Sequence, residues 1–381
     1  MAEEEIAVAH PYKSLPDRAF WRRSVAGLPA GAVDPVGDFA LRITSQTRVA
    51  TAGSCFAQHI SRALRMAGLA WLNAEPGHPV IPGGLRAQHG YGTFSARFGN
   101  IYTARQLVQL FDRAHGTFTP AEPPWIDPDG TVRDPFRPAI QPGNFVSVTE
   151  MEADRAGHLA AVRQMFATLD VLVFTLGLTE AWESAVDGAV FPLCPGVEGG
   201  QFDPARHVFR SHEVEDVVAD MEAFLARLAG VNPGAQVVLT VSPVPLMATA
   251  EPGAHVLAAT TWSKAVLRVA AGRLARRHAY VHYFPAYEIV TGAHARGAYF
   301  AADLRSVTKT GVAHVMRLFL QHAAGITADA APPGPRTAEA PPDPTQEAAR
   351  QFVALECEEA TLDRPEGSPP KTGQSGGSGA G

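Results

Sequence analysis

Charge is scarce in this chain. Charged residues make up 18% of its 381 positions and the balance is −6. No broad basic field exists for nucleic acid to bind, so none is expected as a partner. Cysteine is nearly absent. Cys55, Cys194 and Cys357 lie far apart, and three thiols without a C-x-x-C pair make neither a disulfide framework nor a zinc knuckle. There is no H-E-x-x-H cluster, so no metal is expected. Neither G-x-x-x-x-G-K-[ST] nor G-x-G-x-x-G opens the first helix, which leaves no phosphate cradle and no expected cofactor. No apolar run reaches about 18 residues, so no membrane span is expected. The acidic first ten residues lack the apolar core of a secretory signal. The expectation is a soluble, cytoplasmic protein. No internal repeat of roughly 20 to 50 residues is visible.

What is present is apolar. Hydrophobic residues reach 46%, enough for a large core, and the length suits roughly two to three domain-sized units or one enlarged α/β domain. The last 59 positions differ: residues 323–381 hold nine Pro and eight Gly, with Phe352 the one aromatic. Such a segment buries too little surface to offset its ordering entropy, and it reads as a disordered tail. Within it, 345–362 has the pattern of a short amphipathic helix, transient or docking. A scaffold whose tail recruits a partner is therefore one reading of the chain.

The remainder, 1–322, alternates strand and helix signals, with a loop-rich insertion at about 75–150. Apolar strands are expected at 48–52, 69–73, 169–176, 236–242 and 280–284. Helices are expected at 57–68, 103–114, 158–168, 213–228, 255–277 and 308–321. Continuous apolar strands separated by helices indicate a parallel sheet covered on both faces.

Ligands of such sheets bind beyond the carboxyl ends of the strands. Gly53 and Ser54 follow the first strand and open a helix, whose free N–H groups stabilise an anion nearby. Ser54 is a candidate nucleophile there, although serine is also an ordinary helix cap. Cys55, one position on, is expected to pack inward as a small hydrophobe. Tyr102 and Trp182 are candidate cleft residues or core.

The run Gly53-Ser54-Cys55-Phe56-Ala57 resembles the signature of the GSCFA family, itself similar to a branch of the SGNH/GDSL hydrolase superfamily. Phe98-Gly99-Asn100, Gly177-Leu178-Thr179-Glu180, Ser263-Lys264 and Phe284-Pro285 also look family-like, and the resemblance spans about 10–322. It implies a three-layer α/β/α sandwich with a five-stranded parallel sheet of flavodoxin-like order. It also implies a serine esterase or acyltransferase acting on a small-molecule or carbohydrate ester, with an acylated carbohydrate among the candidates. The nucleophile falls on Ser54. The oxyanion donors fall on Gly99, followed by Asn100, and on Thr179 in place of the usual asparagine, together with the Ser54 N–H. Glu180 stands where an aspartate is usual. The D-x-x-H block falls on Asp303 with Ser306 in the histidine position, and a serine without a base is a poor nucleophile. His207, His212, His282, His294 and His314 are the candidate replacements. The alternative is a catalytically silent SGNH-like binding module that has lost its triad histidine.

Overall fold

The computed structural model describes residues 10–327. Its first half contains β1 (Val49–Gly53), α1 (Ala57–Met66), α2 (Gly83–Gln88), α3 (Ala104–Ala114), β2 (Trp125–Ile126), β3 (Val132–Arg133) and α4 (Val148–Thr168). There follow β4 (Val171–Leu176), β5 (Glu180–Ser184), β6 (Val190–Phe191), β7 (His207–Ser211) and α5 (Val214–Val231). The chain then forms β8 (Gln236–Val241), α6 (Val256–Arg277), β9 (Val281–Tyr283), α7 (Ala286–Thr291) and α8 (Lys309–Ala324).

A parallel sheet of order β1-β4-β8-β9 forms the centre. Every residue of β1 and β4 is buried, as strands covered on both faces must be. The period of two divides them cleanly. Ala50, Ala52, Leu172, Phe174, Leu176, Val237, Leu239 and Val241 enter one core with α3, α4, α5 and α6. Val49, Val171, Val173 and Val238 enter the other with α1, α7, α8 and the segment that carries Phe39, Leu41 and Ile43.

Four strands form where five are expected. The 69–73 segment contributes a single parallel bridge, Val49 to Trp71. The reason lies on the outer edge of β1, whose hydrogen bonds are divided among three segments. Leu72 N–H reaches the Val49 carbonyl at 2.9 Å, Thr51 N–H reaches Ser95 Oγ at 2.9 Å, and Ile101 N–H reaches the Gly53 carbonyl at 2.9 Å. No one segment stays alongside long enough to be a strand. Helix α4 starts ten residues before its expected beginning, because Ser147 caps it by accepting the Glu150 N–H at 3.2 Å. The order Ser147-x-x-Glu150 is a capping-box sequence. The antiparallel sheet β6-β5-β7 has no counterpart in the sequence expectations. Helix α8 runs two residues past 322 and ends at Gly325, whose φ is +68°. The 345–362 helix expectation lies outside the described residues.

One glycine governs how the sheet closes. Gly53 has φ +127°, and a Cβ on it would lie 2.3 Å from the Thr175 carbonyl oxygen of β4. Both the backbone conformation and the space exclude a side chain. Gly53→Ala is expected to cost about 3 kcal/mol or more, the overpacking range plus left-handed strain. Thermal denaturation should show a lowered Tm or no folded protein; an unchanged Tm would contradict this.

Candidate active site

The carboxyl ends of β1, β4 and β8 open side by side. Ser54 and Cys55 follow β1, Gly177 and Leu178 follow β4, and Ser242, Val244, Pro245 and Leu246 follow β8. With Tyr102 and Lys264 they line a cavity of about 10 Å³, room for about one water. Ser54 is 3% exposed, and its Oγ has no hydrogen-bond partner among the described residues. A Cβ on Gly177 would lie 3.2 Å from the Ser54 Cβ, so the loop after β4 rests directly on the serine. Cys55 is half-buried on the cavity wall, not packed inward as expected; the turn out of β1 presents both side chains to the same opening.

Sequence reasoning passed over Lys264 as a site residue. It is 2% exposed, and its Nζ donates to the Gly177 carbonyl at 2.6 Å. Its neighbour Ser263 accepts the Thr179 N–H at 3.0 Å. Two successive residues of α6 therefore hold the loop that covers Ser54. A signal was available: Lys264 falls in the stripe of Leu267, Ala271 and Leu274, and a lysine in an apolar stripe demands a buried partner.

None of the described histidines lines this cavity. His212 meets Glu183 at 3.0 Å, His282 meets Gln236 at 3.0 Å and His314 meets Tyr299 at 2.8 Å. His207 accepts the Asp203 N–H at 3.1 Å, and His294 packs edge-on against Tyr299 and His314. Asp303 is exposed and occupied within its own turn. It accepts the N–H groups of Arg305 at 3.0 Å and Ser306 at 2.9 Å, and the Ser306 hydroxyl at 2.5 Å. The Ser306 hydroxyl above all holds its carboxyl below the usual range. The turn reaches the site through Arg305, which donates to the Pro245 carbonyl at 3.1 Å.

The expected oxyanion residues do not converge. The Ser54 N–H donates to the Thr175 carbonyl at 3.1 Å, which removes it from that role in this geometry; the close approach at Gly53 brings that carbonyl within reach. Thr179 stands behind the wall, with its Oγ1 buried and unpartnered among the described residues. Gly99 turns the chain at φ +72° just before the Ile101 contact to β1. Asn100 lines a different cavity, beside His158 and Arg113.

Glu180 faces a third and larger space. Its carboxylate accepts the Thr249 hydroxyl at 2.6 Å and the Ala250 N–H at 3.2 Å, and burial pushes its pKa up. With Tyr102, Leu178, Trp182, Phe191 and Leu246 it borders an apolar cavity of about 240 Å³. Tyr102, Leu178 and Leu246 belong to this cavity and to the Ser54 cavity alike. Tyr102 and Trp182 are thus cleft residues.

A model of the GSCFA family matches residues 48–319. No curated protein is matched by the sequence.

The lowered Asp303 carboxyl gives a prediction. Removing the Ser306 hydroxyl withdraws the first cause of the shift, so Ser306→Ala should move the Asp303 titration to higher pH. Because the folded-state pKa is depressed, the turn's contribution to stability is present above the ordinary carboxylate range and lost as pH falls through the lowered value. Carboxyl-carbon NMR titration of both proteins measures this; coincident curves would contradict it.

Proposed function

We propose that this chain, which belongs to the GSCFA family, is a serine acyl-transfer enzyme of the SGNH type, an esterase or acyltransferase working through Ser54. One observation carries the reading. A buried serine hydroxyl with no hydrogen bond among the described residues stands at a parallel strand end, in a cavity that Lys264 also lines and that shares three wall residues with a large apolar cavity. The sheet supports it: β1, β4, β8 and β9 run parallel, the 69–73 segment touches the outer edge of β1 through the Trp71 bridge, and Ser54 lies between the carboxyl ends of β1 and β4, where ligands of such sheets bind.

In this reading Ser54 Oγ attacks the ester carbonyl carbon while its proton passes to the Lys264 amine, which must first give up its own proton to solvent. A buried lysine can serve where no histidine is placed. The tetrahedral oxyanion collapses, the alkoxide leaves with the proton from Lys264, and an acyl-serine remains. Water or a second alcohol then attacks it by the same path in reverse. Gly99 sets the turn that delivers Ile101 to the edge of β1 and Tyr102 to the cavity wall. Thr179 and Asn100 brace the loops on either side, and Glu180 pins the 249–250 segment over the apolar cavity. Asp303 shapes the rim through Arg305 and does not orient the base. The apolar cavity takes the hydrocarbon part of the ester, each buried methylene contributing about 0.8 kcal/mol. An acylated carbohydrate fits with its acyl group inside and its sugar at the mouth.

A second reading, the silent binding module, is favoured by the closing of Asp303 on Ser306 and by the committed Ser54 N–H. A fluorophosphonate probe and a panel of activated esters separate the two. The enzyme reading expects labelling and turnover that vanish in Ser54→Ala and fall at least about 100-fold in Lys264→Met, the general-base range. It expects no gain from Ser306→His, because the proton goes to Lys264. Folded protein that neither labels nor turns over would establish the binder. Turnover that survives Lys264→Met but rises in Ser306→His would return the base to the Asp303 turn.

A further inference from the structure

A second polar cavity lies apart from Ser54 and shares no wall residue with its cavity. Gln106, Gln109 and Arg113 reach it from one face of α3, joined by Asn100, Arg137 and His158. Behind it runs a buried ionic network. Arg97, Arg137 and Arg155 are matched by Glu75, Asp134 and Asp154: Arg97 to Asp154 at 2.7 Å, Arg137 to Asp134 at 3.0 Å and to Asp154 at 2.8 Å, and Arg155 to Asp134 at 2.8 Å. Glu75 faces Arg97 at 3.8 Å and accepts from His158 at 2.8 Å.

Arg113 is the fourth guanidinium, and three carboxylates leave it over. Among the described residues it makes no ion pair, and it packs on the Phe136 ring at 4.4 Å. Burial, with Asp134 opposing it, brings its pKa down to about 10. Arg113 is half-buried, and a partly desolvated cation short of one counter-charge is costly. His158 adds an independent sign. It is 2% exposed, its Nδ1 is spent on Glu75, and its buried Nε2 has no partner among the described residues. The cavity measures about 30 Å³, the space of about two waters.

We infer that this cavity binds a small planar oxyanion, a carboxylate or bicarbonate group held on the Arg113 guanidinium. A planar fork matches such a group with two parallel N–H···O bonds, and the bound charge balances the network. His158 Nε2 accepts from the ligand's hydroxyl or from a water beside it. The narrow space favours the smaller planar group over tetrahedral phosphate.

Calorimetric titration of the full chain with formate, acetate, bicarbonate and phosphate tests this. Saturable binding of a planar anion with Kd at or below about 1 mM is expected. Binding should weaken at least about tenfold in Arg113→Gln, in keeping with the loss of a charge-assisted pair, and stay unchanged in Ser54→Ala. Arg113→Lys, which keeps the charge and loses the fork, should also weaken it and serves if Arg113→Gln does not fold. Preference for bicarbonate points to a free ion, and preference for acetate to the end of a larger ligand. No saturation, equal affinity in the Arg113 variants, or phosphate binding as tightly as formate would each overturn the inference and leave a water-filled cavity.

Discussion

The distance between β1 and β4 at Gly53 is the constraint on which the rest of the structure depends. With no side chain at that position, the two backbones close until the Ser54 N–H reaches the Thr175 carbonyl at 3.1 Å. That bond fixes where β1 stops and where Ser54 begins. The loop after β4 then has nowhere to run except over the serine, and Gly177 is the residue small enough to cross there. Lys264 enters the same space from α6 to satisfy the Gly177 carbonyl. Strand approach, loop path and buried amine are thus links of one packing problem.

The apolar and ionic halves of the molecule do different work. The parallel sheet and its helices are held by close-packed hydrocarbon, with most strand residues wholly removed from water. The insertion between β1 and β4 instead leans on a network of guanidiniums and carboxylates that joins Glu75, Arg97, Asp134, Arg137 and Asp154. Ion pairs of this kind contribute little net stability once desolvation is counted, but losing one partner is expensive. Such a network fixes geometry. It holds the chain that carries Ser95, Ile101 and Tyr102 against the edge of β1, and Tyr102 in turn forms part of both cavities near the strand ends.

Much of the architecture was legible along the chain. Unbroken apolar runs at β1, β4 and β8 can only be strands buried on both faces, and the helices between them announce a parallel sheet through their periodicity. The start of α4 is written in Ser147 and Glu150, a capping pair that precedes the apolar repeat and so leaves no periodic signal of its own. β5 and β7 were hidden because their pairing is antiparallel, with Glu180, Glu183 and Arg210 interrupting the apolar pattern.

The site divides along the same line. The sequence by itself determined that a glycine and a serine end the first strand, and that the position after Asp303 suited to a histidine holds Ser306. These are local facts, set by residue identity and by the short-range turn that each residue permits. Only the tertiary structure decided that Asn100 and Glu180 face different cavities, and that Lys264 shares one with Ser54. Those neighbours are separated by tens to hundreds of residues along the chain. Their meeting depends on strand order and helix docking, which the buried surfaces settle together and no local stretch encodes.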